Sequence, residues 1–282
     1  MIKKKMMKMG LVTLFSGAFL VMPHSEVSAA SSIKVHYIDI GQGDAIYIKM
    51  PSGEDVIIDG GNKGKGDAIV AYLKKQKVDD IEVLISTHPD ADHIGGLDEI
   101  LDAYRVENIY APKVKHTTQA YKDFLQAVKR EGKTIKTAQM GVSLPIKGVS
   151  AKFVGPVKSY SNSDLNNWSA VLHVTYKKNT FLFTGDAEHV SEKDMMAKKQ
   201  TLRADVLKVG HHGAKTSTSS TFLNTVKPKH AIISVGKNSY GHPTSEVVTN
   251  LKRQKVNTLR TDINGTIIIT GNGSSYAVKK SK

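Results

Sequence analysis

Ser86-Thr87-His88-Pro89-Asp90-Ala91-Asp92-His93-Ile94-Gly95-Gly96 is the stretch on which the reading of this chain turns. Two histidines and two aspartates fall within six residues, directly after an apolar run, Ile81 to Ile85, that reads as a buried strand. A loop leaving a strand can turn several side chains onto one point. Imidazole and carboxylate are ligands for divalent cations, and this many of them implies two ions. Gly95 and Gly96 let the chain turn tightly into a helix. A helix cap needs one aspartate and no His-x-Asp-x-Asp-His, so a plain capping turn accounts poorly for the pattern.

The pattern resembles the metallo-β-lactamase superfamily, whose usual signature is His-x-His-x-Asp-His. Asp90 stands where the second histidine is usual. That variant, followed by Gly-Gly, is similar to the hydrolase domain of the ComEC competence proteins, here in a free-standing form. Carboxylate is a harder ligand than imidazole, so the position nearest His88 and Asp90 is expected to favour manganese or iron more than an all-histidine zinc site does. The resemblance implies two divalent ions, zinc or manganese. His88 and Asp90 would hold one, Asp92, His93 and His212 the other, and Asp186 would bridge them.

Other motifs fall at strand ends. Gly41-Gln42-Gly43-Asp44 joins the first two strands, as a similar run does in the ComEC-like proteins; it is either a well-made turn or a neighbour of the metals. Asp59-Gly60-Gly61 resembles the superfamily's Asp-Gly-Gly, and Asp59 reads as a buried acceptor supporting the metal loop. Thr184-Gly185-Asp186 ends a later strand and resembles the bridging aspartate. In Gly210-His211-His212-Gly213, neighbouring side chains diverge, so His212 is taken as ligand and His211 as a donor facing substrate. Lys215, Thr216 and Ser217 are expected to hold an anionic oxygen with helix-start amides. Tyr240-Gly241-His242-Pro243 offers His242 as proton donor to a leaving group, or as a further ligand. A histidine that many superfamily members carry before the second half is missing; Asn167, Ser169 or water is left for that corner. His173 lies in an alternating strand and reads as structural.

Strands are predicted at Ile33–Ile40, Ala45–Met50, Asp55–Asp59, Ile81–Ser86, Asn108–Ala111, Ala151–Val154, Ala170–Tyr176, Thr180–Thr184, Val206–Val209, His230–Val235, Thr258–Leu259 and Gly265–Thr270. Helices are predicted at Asp67–Gln76, Leu97–Tyr104, Gln119–Glu131, Val190–Lys199, Ser219–Val226 and Glu246–Gln254. Each half opens antiparallel and continues in strand–helix units. Two such halves suit an α+β, four-layer αβ/βα sandwich, the metallo-β-lactamase architecture.

Residues 1–30 read as a secretory signal peptide, with Lys3, Lys4, Lys5 and Lys8, an apolar run from Gly10 to Met22, and small residues at Val27-Ser28-Ala29-Ala30. An uncleaved anchor is the alternative. Residues 31–282 form the hydrolase domain, and the expected location is extracellular, with cell-wall association as an option. The formal charge is +14 and the chain has no cysteine, which excludes disulfides, thiolate ligands and a cysteine nucleophile. A basic secreted protein attracts polyanions: nucleic acid, teichoic acid or an anionic surface. The expected activity is therefore that of a metal-dependent phosphodiesterase or nuclease, with Asp92, His211, His242 and Lys215 serving catalysis. Hydrolysis of another ester (a phosphorylcholine or teichoic acid diester, a lactone or a β-lactam) and a non-catalytic binding module are the competing readings.

Overall fold

The computed structural model describes residues 31–282, so the leader expected at 1–30 lies outside the described residues. An antiparallel meander opens the domain: β1 (Ile33–Tyr37), β2 (Ile46–Lys49) and β3 (Asp55–Ile58). Helix α1 (Gly66–Lys75) leads to β4 (Ile81–Ile85), parallel to β3. The short α2 (Ala91–Ile94) and α3 (Leu97–Ala103) lead to β5 (Val106–Ala111), and α4 (Gln119–Arg130) to β6 (Ile135–Thr137), both strands continuing the parallel run. A second antiparallel meander follows in β7 (Ser150–Gly155), β8 (Val171–Tyr176) and β9 (Asn179–Phe183). Helices α5 (His189–Ala197), α6 (Ser220–Val226) and α7 (Ser245–Arg253) then alternate with the parallel strands β10 (Val206–Lys208), β11 (His230–Ile233) and β12 (Asn257–Arg260). After α8 (Thr261–Asn264), β13 (Ile267–Gly271) pairs antiparallel with β1 and with β14 (Tyr276–Lys280).

Two sheets result, of order β14-β13-β1-β2-β3-β4-β5-β6 and β12-β11-β10-β9-β8-β7. Three apolar clusters show how they stack. The central one joins Val35, Tyr37, Val56 and Val83 to Leu172, Phe181, Phe183 and Val206, one set from each sheet. A second packs Ile57, Ile81 and Leu84 under Ile69, Leu73, Ile100 and Phe124 of the helices. The third packs Leu182, Leu207 and Ala231 under Met195, Phe222 and Leu251. Helix, sheet, sheet, helix is the four-layer αβ/βα sandwich expected.

Side chains alternate across each strand, which sets up the site. On β10, Val206 enters the central core and Leu207 the outer one. Lys208 therefore takes the inner face, and it is fully buried there at the strand's end. Strands β3, β4, β9, β10 and β11 each pair in parallel with at least one neighbour. The loops after four of them, β4 and β9 to β11, carry the ligand-type residues. Ligands gather at carboxyl ends of strands in open α/β sheets for the same reason.

Two strands have no counterpart in the sequence reading. β6 is three partly exposed residues, Ile135-Lys136-Thr137, and β14 is an edge strand ending in lysines; neither has an apolar run to mark it. The predicted Gly265–Thr270 strand belongs to the first sheet, where it pairs antiparallel with β1.

Candidate metal centre

The metal loop is fastened from below by Asp59. Its Oδ1 accepts from Thr87 N at 2.7 Å, and its Oδ2 from Thr87 Oγ1 at 2.7 Å and from His93 Nδ1 at 2.8 Å. Gly43 lets the β1–β2 loop close on the same segment: a Cβ there would stand 2.3 Å from Asp92 O, and its φ of +121° suits glycine. Asp44 N donates to Asp92 O at 3.2 Å across that contact.

Each buried histidine is oriented by the ring nitrogen that does not face the centre. His93 Nδ1 donates to Asp59, and His212 Nδ1 donates to Ser234 O at 2.8 Å. His88 Nδ1 lies 3.0 Å from Thr87 Oγ1 and 3.5 Å from Ser169 Oγ. The three Nε2 atoms, though buried, have no hydrogen-bond partner, nor has Asp186 Oδ1. Buried polar atoms left unpaired are costly and rare. Outer hydrogen bonds that fix a histidine with one nitrogen free are the usual support of a metal ligand.

Those free atoms converge. Asp186 Oδ2 lies 3.2 Å from His93 Nε2, 3.4 Å from His212 Nε2 and 3.9 Å from His211 Nε2. Ligand atoms of His88, His93 and Asp186 lie within 4.8 Å of one another, as do those of Asp92, His93 and His212. Asp90 Oδ2 stands 3.4 Å from His88 Nε2 on the more exposed side. Asp186, with its Oδ2 shared among the imidazoles, occupies the middle of the set. The donors, imidazole and carboxylate with no thiolate, fit divalent zinc, manganese or iron.

The electrostatics point the same way. Burial would lower His212, but Asp186 and Asp92 raise it to about 9; burial would likewise lower His93, yet Asp186, Asp59 and Asp92 hold it well above 6.5. Burial would raise Asp186 and Asp92, but His212 and His93 keep both well below the usual carboxylate range. So strong a bias towards cationic partners marks a cluster of negative charge suited to cations.

The Metallo-beta-lactamase superfamily profile matches residues 38–237. This chain belongs to that superfamily. Within it, ComE operon protein 3 of Bacillus subtilis is 34% identical over 256 residues, covering 84% of this chain and 33% of that protein. Recombination protein 2 of Haemophilus influenzae is 32% identical over 240 residues, covering 83% and 28%. The chain thus spans about a third of the length of the curated relatives it matches. Among solved structures, the metallo-beta-lactamase fold protein YhfI from Bacillus subtilis superposes with a TM-score of 0.56 at 12% identity, covering 85% of this chain and all of that one. Family, relatives and ligand set together make this chain a ComEC-like member of the superfamily with a His and Asp cluster able to bind metal ions.

Two supports of the site, Lys208 and Glu188, lie outside what the sequence predicts. Lys208 Nζ lies 2.5 Å from Asp44 Oδ2, 3.6 Å from Asp186 Oδ1 and 3.0 Å from Gly185 O. Glu188 Oε1 accepts from His211 Nδ1 at 3.0 Å and from Thr216 Oγ1 at 2.6 Å. Asp44, which the sequence leaves open as a turn residue or a neighbour of the metals, is buried beside them. Strand parity is the signal for Lys208: a lysine two residues beyond a core valine, at the strand end before His211-His212. Glu188 carries no local signal, since its partner is 23 residues on.

His211 and His212 both adopt left-handed backbone, with φ of 46° and 51°. That turn sends His212 inward and leaves His211 partly exposed at the mouth, 5.2 Å between ring centroids from His242. Burial, then the neighbouring His211 and His212, lower the pKa of His242. Lys215 is exposed and, among the described residues, forms no ion pair; α6 begins only at Ser220, so the helix-start amides expected at 215–217 are not there. Ser217 Oγ instead donates to Gly210 O at 2.6 Å. Asn167 does not fill the corner of the missing histidine. Its Oδ1 accepts from Glu188 N at 3.3 Å and Ser191 N at 2.9 Å, starting α5. Ser169 Oγ is nearer the centre but accepts from Asp186 N at 3.0 Å, so it positions Asp186. His173 Nε2 donates to Arg203 O at 2.9 Å, as a structural residue would.

Proposed function

We propose that this protein is a secreted phosphodiesterase that cleaves DNA or another anionic phosphodiester polymer with two divalent ions. The observation that carries the reading is the convergence of the orphaned His93 and His212 Nε2 atoms on Asp186, with His88 grouped within 4.8 Å of His93 and Asp186. His88, Asp90 and Asp186 would hold one ion, and Asp92, His93, His212 and Asp186 the other. When bound, such ions supply Lewis acidity and a nucleophile at neutral pH.

The chain's own residues do the rest. Glu188 fixes His211 through Nδ1, which presents Nε2 to the non-bridging oxygens of a phosphodiester. His242, at the same mouth, is placed to exchange a proton with the leaving oxygen. Lys208 keeps Asp186 and Asp44 from repelling each other without reaching the surface. The leader-like residues 1–30, the formal charge of +14 and relatives named for competence and recombination support export and a nucleic-acid substrate. Asp90 in place of a histidine, and no histidine at the Asn167–Ser169 corner, set the site apart from a zinc β-lactamase.

A panel of substrates tests the reading: oligonucleotides, a bis-aryl phosphodiester, a lactone and a β-lactam, assayed side by side with manganese and with zinc. Turnover of the phosphodiesters alone is expected. Turnover of the lactone or β-lactam with intact DNA would replace this reading with the other-ester one.

A further inference from the structure

Beside the metal loop lies a cavity of about 510 Å³ that the chemistry above does not use. Its size falls in the range of roughly 300–1,000 Å³ that holds small organic groups. Ser86 and Pro89 form part of its wall, and Pro89 is the residue between His88 and Asp90. Tyr121 and Phe124 of α4 give it an aromatic side, and the exposed Lys113 and Lys115 stand at its rim.

The charge around it is the reverse of the charge at the centre. Among the described residues, the cavity's lining holds no acid. A second cavity, of about 260 Å³, shares Lys113 and Thr137 with the first and again has no acid in its lining, though its Lys158 is paired with Asp194 at 2.7 Å. A third hollow, at the mouth of the site, is acidic by contrast: Asp90, Asp164 and Glu188 line it beside Ser163 and Asn166. Asn162 and Ser163, adjacent in sequence, line the first and the third, so the basic cavity lies near the mouth of the site.

We infer that these two acid-free cavities bind a single strand of nucleic acid, with one base in the Tyr121–Phe124 cavity next to the scissile phosphate and Lys113 and Lys115 on flanking phosphates. The inference rests on the phosphodiesterase reading and names how its substrate is held. Acid-free basic rims track a phosphate backbone, while aromatic walls take bases of any sequence. A compact apolar substrate such as a lactone has no use for two lysines at the rim of such a cavity. A double helix does not fit either, because its bases are stacked away from such a cavity.

The test is binding of a fluorescein-labelled twelve-residue oligothymidylate with cleavage-resistant phosphorothioate links, followed by anisotropy with the metal-loaded protein. An abasic strand of equal length is the control. The wild type is expected to bind the base-bearing strand at least fivefold more tightly. Lys113→Glu with Lys115→Glu is expected to weaken that binding at least tenfold and to flatten the salt slope by roughly 1.4, because two phosphates are no longer neutralised. Thr137→Trp, at an exposed position, is expected to fill the cavity and remove the preference for bases. Thermal melting checks that the variants fold, and the wild type's own preference for the base-bearing strand tests the inference without any variant. Equal affinity for the two strands, or undiminished binding by the folded lysine variant, overturns the inference. Failure of the phosphodiesterase reading would show separately, as no metal-dependent cleavage of an ordinary strand by the wild type.

Discussion

Lys208 Nζ stands 2.5 Å from Asp44 Oδ2, with both side chains buried at the floor of the metal centre. Burial disfavours the lysine's charge, but Asp44 and Asp186 outweigh it and raise its pKa. Removing one partner of a buried pair strands the other, at a cost of about 3–5 kcal/mol. Lys208→Met is therefore expected to lower unfolding stability by about that amount in urea titrations. Adding Asp44→Asn should recover part of the loss. A loss in the single variant no larger than that of a surface lysine would mean the pair does not hold the floor.

Asp59 touches no exposed surface, yet it fixes both Thr87 and His93. Outer partners of this kind set ligand orientation, and their loss commonly lowers metal affinity by about 10- to 100-fold. Asp59→Asn should show that loss in competition with a chelator, while circular dichroism stays that of the folded protein. Unaltered affinity would make Asp59 a folding residue only.

Glu188 acts on the reaction through His211. Glu188→Gln keeps a hydrogen-bond acceptor but removes the charge that aligns the imidazole. We expect kcat on a phosphodiester to fall roughly tenfold or more. Metal content, measured on the same sample, should not change. A fall in bound metal instead would move Glu188 into the ligand set.

His36 supplies a pH dependence remote from the metals. Burial, then Lys34, lowers its pKa from 6.5 to about 4, and Nδ1 lies 2.8 Å from Tyr72 Oη. The unfolded chain takes up this proton at higher pH than the folded one. Stability is thus full above pH 6.5 and is lost as pH falls towards 4, by roughly 3 kcal/mol from this residue. His36→Gln should reduce the acid-side drop in melting temperature. An unaltered acid profile in that variant would assign the drop to other groups.

Strands such as Ile81–Ile85 are legible in the sequence because burial leaves Ile, Val and Leu at four of its five positions, only Glu82 interrupting. His88, Asp90, Asp92 and His93 are legible because they crowd one turn, and Asp186 and His212 because each follows a strand end. Lys208 and Glu188 are not, for a physical reason: their partners come from distant strands or from a loop, and only the closed sandwich brings them together. Lys215 misleads because a Lys-Thr-Ser run resembles a helix start, whereas Ser219 caps α6 by accepting from Phe222 N at 3.1 Å. The Asn167 corner misleads because an asparagine near a ligand reads as a ligand, when its amide is engaged in starting α5.

Manganese-dependent cleavage of single-stranded DNA by the purified protein, beside Asp92→Ala, with bound metal counted on both samples, tests the two-ion phosphodiesterase most directly. Cleavage with about two ions per wild-type chain, abolished in the variant together with loss of metal, is the expected result. Intact DNA with a fully loaded site, or undiminished cleavage by Asp92→Ala, would contradict it.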